Sequence, residues 1–277
     1  MTSEAPPFDP IQLVGRADDL RIVHDKQVQY HIELPGGALL DMFAFIRSDT
    51  DKVILSGQDA LNPNKPPLPY FPRWSWYPDL PHSFVTFNDP TLYRSSELLG
   101  GWCQFDAAHF GIEMIADVLS GLLRAADLSE TDAVLYGSSA GGFWALMTGA
   151  LLPDAAVVAD ISQTNLLTYP PAHHVRRLFD VCYPGIPHDV VRERFADRLS
   201  VARFYQRVAR RPRRIYYHQN TLDESHVETQ MRPFVEEMRP FDIMDLRLYE
   251  RRVERGTHCP RDKAGSIAAM LEPLTVN

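Results

Sequence analysis

The chain has 277 residues, 45% of them hydrophobic and 23% charged, with a formal net charge of −8. That is the composition of a soluble globular protein of single-domain size, and the acidic balance argues against general affinity for nucleic acid. No apolar run approaches a membrane span, and the three scattered cysteines, Cys103, Cys182 and Cys259, exclude a disulfide framework or a paired-cysteine zinc site.

Residues 1–10 are rich in Pro and acidic residues and read as a flexible arm. They have neither a basic n-region nor an apolar h-region, so no secretory signal is expected and the cytoplasm is the expected location. Leu20 to Val23 and Gln27 to Glu33 flank His24-Asp25-Lys26 and predict a hairpin. Pro35-Gly36-Gly37 turns the chain into a third strand, Ala38 to Phe45, and Lys52 to Leu55 is a short buried strand. Asn62 to Pro81 carries Tyr70, Phe71, Trp74, Trp76 and Tyr77 among too many prolines for a helix. It predicts an ordered loop over the sheet edge, either a satellite core or an acyl-binding wall. Ser83 to Phe87 is another strand, and Ala107 to Ala125 has helical periodicity.

The most informative stretch comes next. Ala133-Val134-Leu135-Tyr136 is an apolar run, Gly137-Ser138-Ser139-Ala140-Gly141 a glycine-flanked turn, and Gly142 onward an apolar helix. A G-x-S-x-G match between strand and helix is the setting of a nucleophile elbow, in which a sharp turn pushes the serine out of the sheet. The helix that follows offers free N–H groups and a positive dipole end to an oxyanion. Ser139 is the candidate nucleophile, and Ser138 occupies the variable position. Beyond it, Ala155 to Ile161 is a strand, and 164–210 reads as short helical pieces inserted as a small cap. Arg214 to His218 is a strand, Glu224 to Met238 a helix, Ile243 to Tyr249 the last strand and Pro260 to Leu271 a closing helix. Strands alternating with helices after an antiparallel start predict one α/β domain over 1–277. Its central sheet is expected to be mainly parallel, with helices on both faces.

A serine nucleophile needs a base, and the base needs an orienting acid. In α/β-hydrolases the order along the chain is Ser, acid, His. Asp223, in Asn220-Thr221-Leu222-Asp223-Glu224-Ser225-His226, is the candidate acid, with Glu224 and Asp160 as rivals and helix capping as its structural alternative. His258, in Gly256-Thr257-His258-Cys259-Pro260, is the candidate base. The oxyanion hole is expected from the N–H of Ala140 and a second donor after Leu55, from Gly57 or Gln58. Trp74, Trp76, Trp102 and His226 are candidates for substrate binding. His173-His174 lacks companion ligands, so no metal is expected. The arginines between Arg176 and Arg214 read as a solvated, ion-paired face, or else as an attractor for an anionic ligand.

At these residues the chain resembles the α/β-hydrolase superfamily. More narrowly it is similar to the bacterial capsule polysaccharide O-acetyltransferases, through Gly137-Ser138-Ser139-Ala140-Gly141-Gly142, Asp223-Glu224-Ser225-His226 and Gly256-Thr257-His258. The resemblance implies acyl transfer through a Ser139 acyl-enzyme, either to water as a carboxylic ester hydrolase or to a sugar hydroxyl as a glycan O-acyltransferase, with acetyl favoured. It implies no cofactor, with acyl-CoA entering only as the donor of a transferase. The expected partner is a small-molecule ester or glycan. The alternative from another class is a non-catalytic binding or scaffold protein that retains the fold.

Overall fold

A computed structural model describes residues 11–15, 20–62, 67–170 and 172–275. The arm expected over 1–10 lies outside the described residues. The apolar runs form one nine-stranded sheet. Its strands are β1 (Ile11–Gly15), β2 (Gln27–Leu34), β3 (Ala38–Phe45), β4 (Val53–Ser56), β5 (Ser83–Phe87), β6 (Ala133–Ser138), β7 (Ala156–Asp160), β8 (Arg214–Asn220) and β9 (Met244–Tyr249), in spatial order β1-β2-β3-β5-β4-β6-β7-β8-β9. Strand β3 runs antiparallel to both neighbours, β2 and β5. Every other neighbouring pair is parallel.

The hairpin expected around His24-Asp25-Lys26 does not form. Residues 20–23 stay irregular, His24 makes only an isolated bridge to Ile46, and β2 instead turns back through Pro35–Gly37 into β3. Gly36 and Gly37 both sit at φ +74°, a left-handed conformation that glycine adopts without steric cost. The tight turn therefore forms there. A further strand, β1, has no counterpart among the expected elements and adds to the edge of β2.

Period-two alternation gives the sheet two buried faces. From β6, Ala133 and Leu135 point into the main core. There they join α1 (Gly111–Ala125), α2 (Ser139–Thr148), α6 (Val201–Val208) and α8 (Arg232–Met238). Val134 and Tyr136 point into a second core closed by α9 (Lys263–Thr275) through Met270 and Leu274. The Pro-and-aromatic section is the satellite core on that same face. Phe71 and Leu80 are buried in it, Trp74, Trp76 and Tyr77 pack against it, and Phe43 meets Phe71 with ring centroids 6.2 Å apart. Every residue of α2 except Ser139 is buried, as befits a helix with no polar face. Fully burying a side chain such as Phe143 or Leu146 contributes ~1.5–3 kcal/mol each.

Between β7 and β8 lie α3 (Ala172–Cys182), α4 (His188–Arg194), α5 (Ala196–Leu199) and α6. After β8 the helix expected from Glu224 is broken. It consists of α7 (Glu224–His226), a π-turn over Val227–Met231, and α8. Among the described glycines, those of the strand-to-helix turn at β6–α2 leave the least room for a side chain. A Cβ on Gly137 would overlap the backbone of Gly141, and one on Gly142 would overlap the Ser162 hydroxyl. Gly100, by contrast, has ordinary contacts at 3.4 Å and beyond. Gly137→Ala is expected to cost about 1–3 kcal/mol through overpacking, and Gly100→Ala clearly less. Urea unfolding of the two variants checks this; equal losses would contradict the packing at the turn.

Candidate active site

The β6–α2 turn builds the site from its own backbone. Ser138 ends the strand in extended conformation (φ −116°, ψ 153°), and Ser139 turns left-handed at φ +51° to start α2. A non-glycine residue in that region costs on the order of 1–3 kcal/mol and persists only where its surroundings fix it. The two serines leave the turn differently. The Ser138 hydroxyl accepts a hydrogen bond from Arg73 Nη2 at 2.8 Å, on the α9 face. Ser139 Oγ lies 3.0 Å from His258 Nε2.

His258 stands in the loop between β9 and α9, and its Nδ1 is 2.7 Å from Asp223 Oδ2. Asp223 stands after β8 and is buried. Burial alone would raise its carboxyl. The hydrogen bonds from His226 and His258 outweigh that and hold it well below the usual carboxylate range. Three residues from three loops thus converge at the carboxyl ends of the strands, where ligands of open parallel sheets bind. Neither rival acid joins them. Glu224 is exposed. Asp160 accepts from the Tyr249 hydroxyl at 2.6 Å and the Arg261 N–H at 3.0 Å, and burial pushes its carboxyl up to about 6.

The oxyanion candidates separate on their backbone partners. The Gly57 N–H is engaged by the Tyr136 carbonyl at 2.8 Å, continuing the β4–β6 ladder, so it is not a free donor. Its missing side chain makes room for the Trp144 indole and the Gly141 carbonyl rather than for a substrate. Among the described residues nothing accepts the N–H of Gln58 or of Ala140, the latter being a first-turn donor of α2. The Gln58 side chain is held away by the Asp89 N–H, which donates to its Oε1 at 2.6 Å.

Of the proposed substrate-binding residues, Trp74 and Trp76 pack on the α9 face, and Arg73 lies 5.5 Å over the Trp76 ring. That arginine also pairs with Asp59 at 2.5 Å. Trp102 and His226 instead reach the Ser139 surroundings. Buried Gln163, which the sequence reading omitted, joins them: its Nε2 is 3.0 Å from Ser139 Oγ and 3.2 Å from His226 Nε2, and its Oε1 accepts from Trp102 Nε1 at 3.1 Å. No motif marks Gln163. Its only sequence signal is its place just beyond β7, the strand beside the elbow strand. The His226 ring stacks on His258 with centroids 4.1 Å apart and 24° between planes.

Asp223, His226 and His258 offer three ligand atoms within 4.8 Å of one another. Both Nδ1 atoms face the same carboxylate at hydrogen-bond distance, 3.0 Å for His226 and 2.7 Å for His258. The two imidazoles therefore share one carboxylate. Several arginines of the 176–214 segment have structural partners. Arg177 pairs with Glu97, Arg207 with Glu113 and Asp197, and Arg198 donates to the Asp106 carbonyl while lying over Phe110 and Phe195. Among the described residues no helix is long and apolar enough to cross a membrane.

Solved structures share this architecture at low identity. The capsule O-acetyltransferase of Neisseria meningitidis serogroup A is 14% identical with a TM-score of 0.60, the match covering 86% of this chain and 94% of that one. A variant of the same Neisseria enzyme in complex with CoA is 13% identical with a TM-score of 0.59, covering 89% and 95%. Acetyl xylan esterase 1 from Thermoanaerobacterium sp. is 14% identical with a TM-score of 0.61, covering 93% and 86%. No family model and no curated protein matches the chain.

The depressed carboxyl of Asp223 has a signed consequence. Its stabilisation is fully present above the unfolded-state value of about 3.9 and is lost as pH falls through the lower folded value. The stability difference between the parent and Asp223→Asn, from chemical denaturation, is expected to stay level above about pH 5 and to shrink below about pH 4. A difference that widens in acid would contradict the assignment.

Proposed function

We propose that this chain, which carries the α/β-hydrolase fold of those solved structures, performs serine-dependent acyl transfer through an acyl-enzyme. One observation carries the reading. The hydroxyl of Ser139, the imidazole of His258 and the carboxylate of Asp223 form a continuous hydrogen-bonded line, 3.0 Å and then 2.7 Å.

Chemistry follows from that line. Ser139 Oγ attacks the acyl carbonyl carbon while its proton passes to His258 Nε2. Asp223 keeps the imidazole oriented and stabilises the imidazolium. Negative charge grows on the carbonyl oxygen, where the N–H groups of Ala140 and Gln58 are the donors we assign. His258 then gives its proton to the leaving oxygen or sulfur, and the C–O or C–S bond breaks to leave an ester on Ser139. In the second half His258 removes a proton from an incoming hydroxyl, which attacks the same carbon. The Ser139 Oγ–C bond breaks, and Oγ takes its proton back from His258. With water as the incoming group the protein is a carboxylic ester hydrolase; with a sugar hydroxyl it is a glycan O-acyltransferase.

We favour acetyl as the acyl group, and acyl-CoA as donor in the transferase case. Support comes from the likeness in fold to an O-acetyltransferase and an acetyl xylan esterase, and from the CoA held by the Neisseria variant. Helices α3 to α6, inserted between β7 and β8, are read as a small cap on one domain spanning the chain.

A fluorophosphonate probe is expected to label the parent and not Ser139→Ala. His258→Ala should lower kcat/KM about a thousandfold or more on any ester turned over. An acetyl-ester panel run with and without glycan acceptors separates the two outcomes, since acetyl transfer outrunning hydrolysis identifies a transferase. Correctly folded parent that takes no label would overturn the reading in favour of a non-catalytic binding protein.

A further inference from the structure

We propose that Trp102, Gln163 and His226 form a proton-ordering arm, which keeps the His226 imidazole neutral and aims the Ser139 hydroxyl at His258. The inference rests on the reading of Ser139, His258 and Asp223 as the reacting groups, and it assigns roles to three residues outside that line.

Trp102 Nε1–H can only donate, and it points at Gln163 Oε1 at 3.1 Å. That fixes which way the amide faces, because its oxygen must meet the indole and its nitrogen must face the other side. The amide nitrogen has two hydrogens and two neighbours, Ser139 Oγ at 3.0 Å and His226 Nε2 at 3.2 Å. Taking one hydrogen each, His226 Nε2 must offer its lone pair, so the proton of that ring sits on Nδ1. There it is donated to Asp223, 3.0 Å away. Ser139 Oγ, already accepting from the amide, directs its own hydrogen to His258 Nε2 at 3.0 Å. His258 Nδ1 donates to the same carboxylate at 2.7 Å. The hydrogen bonds close into a ring: the indole donor fixes the amide, and the carboxylate, which can only accept, takes the protons of both Nδ1 atoms.

The arm is rigidly mounted. Trp102, Cys103 and Phe105 take left-handed backbone, with φ of +45°, +51° and +60°. Asp89 Oδ2 accepts from the Cys103 N–H and Thr91 Oγ1 from the Phe105 N–H, holding the loop in that shape. Ile161, two residues before Gln163, is also left-handed at φ +42°. Strain held in place by surrounding bonds is what a positioning role requires.

The groups facing His226 decide what it can do. Asp223 lies on its own turn, His258 stacks on one ring face, and Tyr169 packs edge-on with centroids 5.7 Å apart. His226 is 5% exposed, and burial lowers its pKa. Charging it would put a second N–H against the amide N–H of Gln163 and a second cation beside the imidazolium that His258 must become. With His226 kept neutral, Asp223 stabilises one cation, on the ring that touches Ser139. A histidine that served only as packing would need neither a fixed tautomer nor a donor aimed at its Nε2.

Nitrogen-15 NMR of the imidazoles reads the tautomer without turnover. In the parent and in Ser139→Ala, His226 is expected to be neutral with its proton on Nδ1 at about pH 8, and to take up a second proton only at lower pH than a free imidazole does. Gln163→Glu places a carboxylate against Nε2, and His226 should then take up that proton at higher pH than in the parent. The acid limb of kcat/KM should move up by about one pH unit, roughly a tenfold loss near pH 6.5. Should that variant fail to fold, Trp102→Phe keeps the ring and removes the donor, and mixed His226 tautomers are expected. A proton on Nε2 of His226 in the parent, or Gln163→Glu changing neither tautomer nor acid limb, would overturn the arm. Failure of the parent reading looks different: fluorophosphonate labelling that persists in Ser139→Ala, with the His226 tautomer as expected, would remove the nucleophile while the tautomer itself held.

Discussion

The close approach of β6 to the first turn of α2 is the constraint on which the site depends. Only hydrogen atoms at positions 137 and 142 let the chain pass within contact distance of Gly141 and Ser162. The reversal this permits puts Ser139 in a left-handed conformation at the end of a central strand. It also turns two successive serines toward different surroundings and leaves the Ala140 N–H without a helical partner. The loop after β4 is drawn in by the same packing. A Cβ on Gly141 would stand 2.9 Å from the Gly57 carbonyl, so residues 57 and 58 run beside the start of α2. The N–H groups of Gln58 and Ala140 and the hydroxyl of Ser139 are thus brought together by one close packing.

Around that turn the protein keeps two polar systems apart. On the strand-end side, Asp223 accepts from two stacked imidazoles and is held ionised by them. On the α9 face, Asp160 is bonded to Tyr249 and Arg261, and Arg73 joins Asp59 to Ser138. Asp160 ends β7 and Asp223 follows the adjacent β8, so chain position alone does not separate them. Their surroundings do. Burial dominates at Asp160 and pushes its carboxyl up to about 6, whereas imidazole donors dominate at Asp223 and pull it down. An acid that must stay charged while a histidine gains a proton is suited to the second environment and not the first.

The aromatic and arginine-rich stretches also resolve into structure. Phe71, Trp74 and Tyr77 cluster with Phe43, which lines the sheet face beneath α9. Several of the arginines after β7 form ion pairs, lie over aromatic rings or bond to backbone carbonyls, as Arg213 does to that of Thr131. Side chains engaged in this way hold α3 to α6 against the body of the domain.

The amino-acid sequence by itself determined the elbow, the alternation of strands and helices, and the residue types that meet at Ser139. Those features are local: glycine at fixed offsets, an apolar run before and after, and an acid and a histidine each just past a strand. It did not reveal Gln163, the absence of the hairpin expected at residue 25, or the engagement of the Gly57 N–H by Tyr136. Only the tertiary structure decided these, because each depends on which strands become neighbours. Glutamine after a strand looks the same in a sequence whether or not an indole 61 residues away fixes its amide. Likewise a backbone donor is free or engaged according to the register of the strand beside it. Short-range chemistry is written along the chain, whereas the direction of a hydrogen bond is set by the far residue that folding brings to its other end.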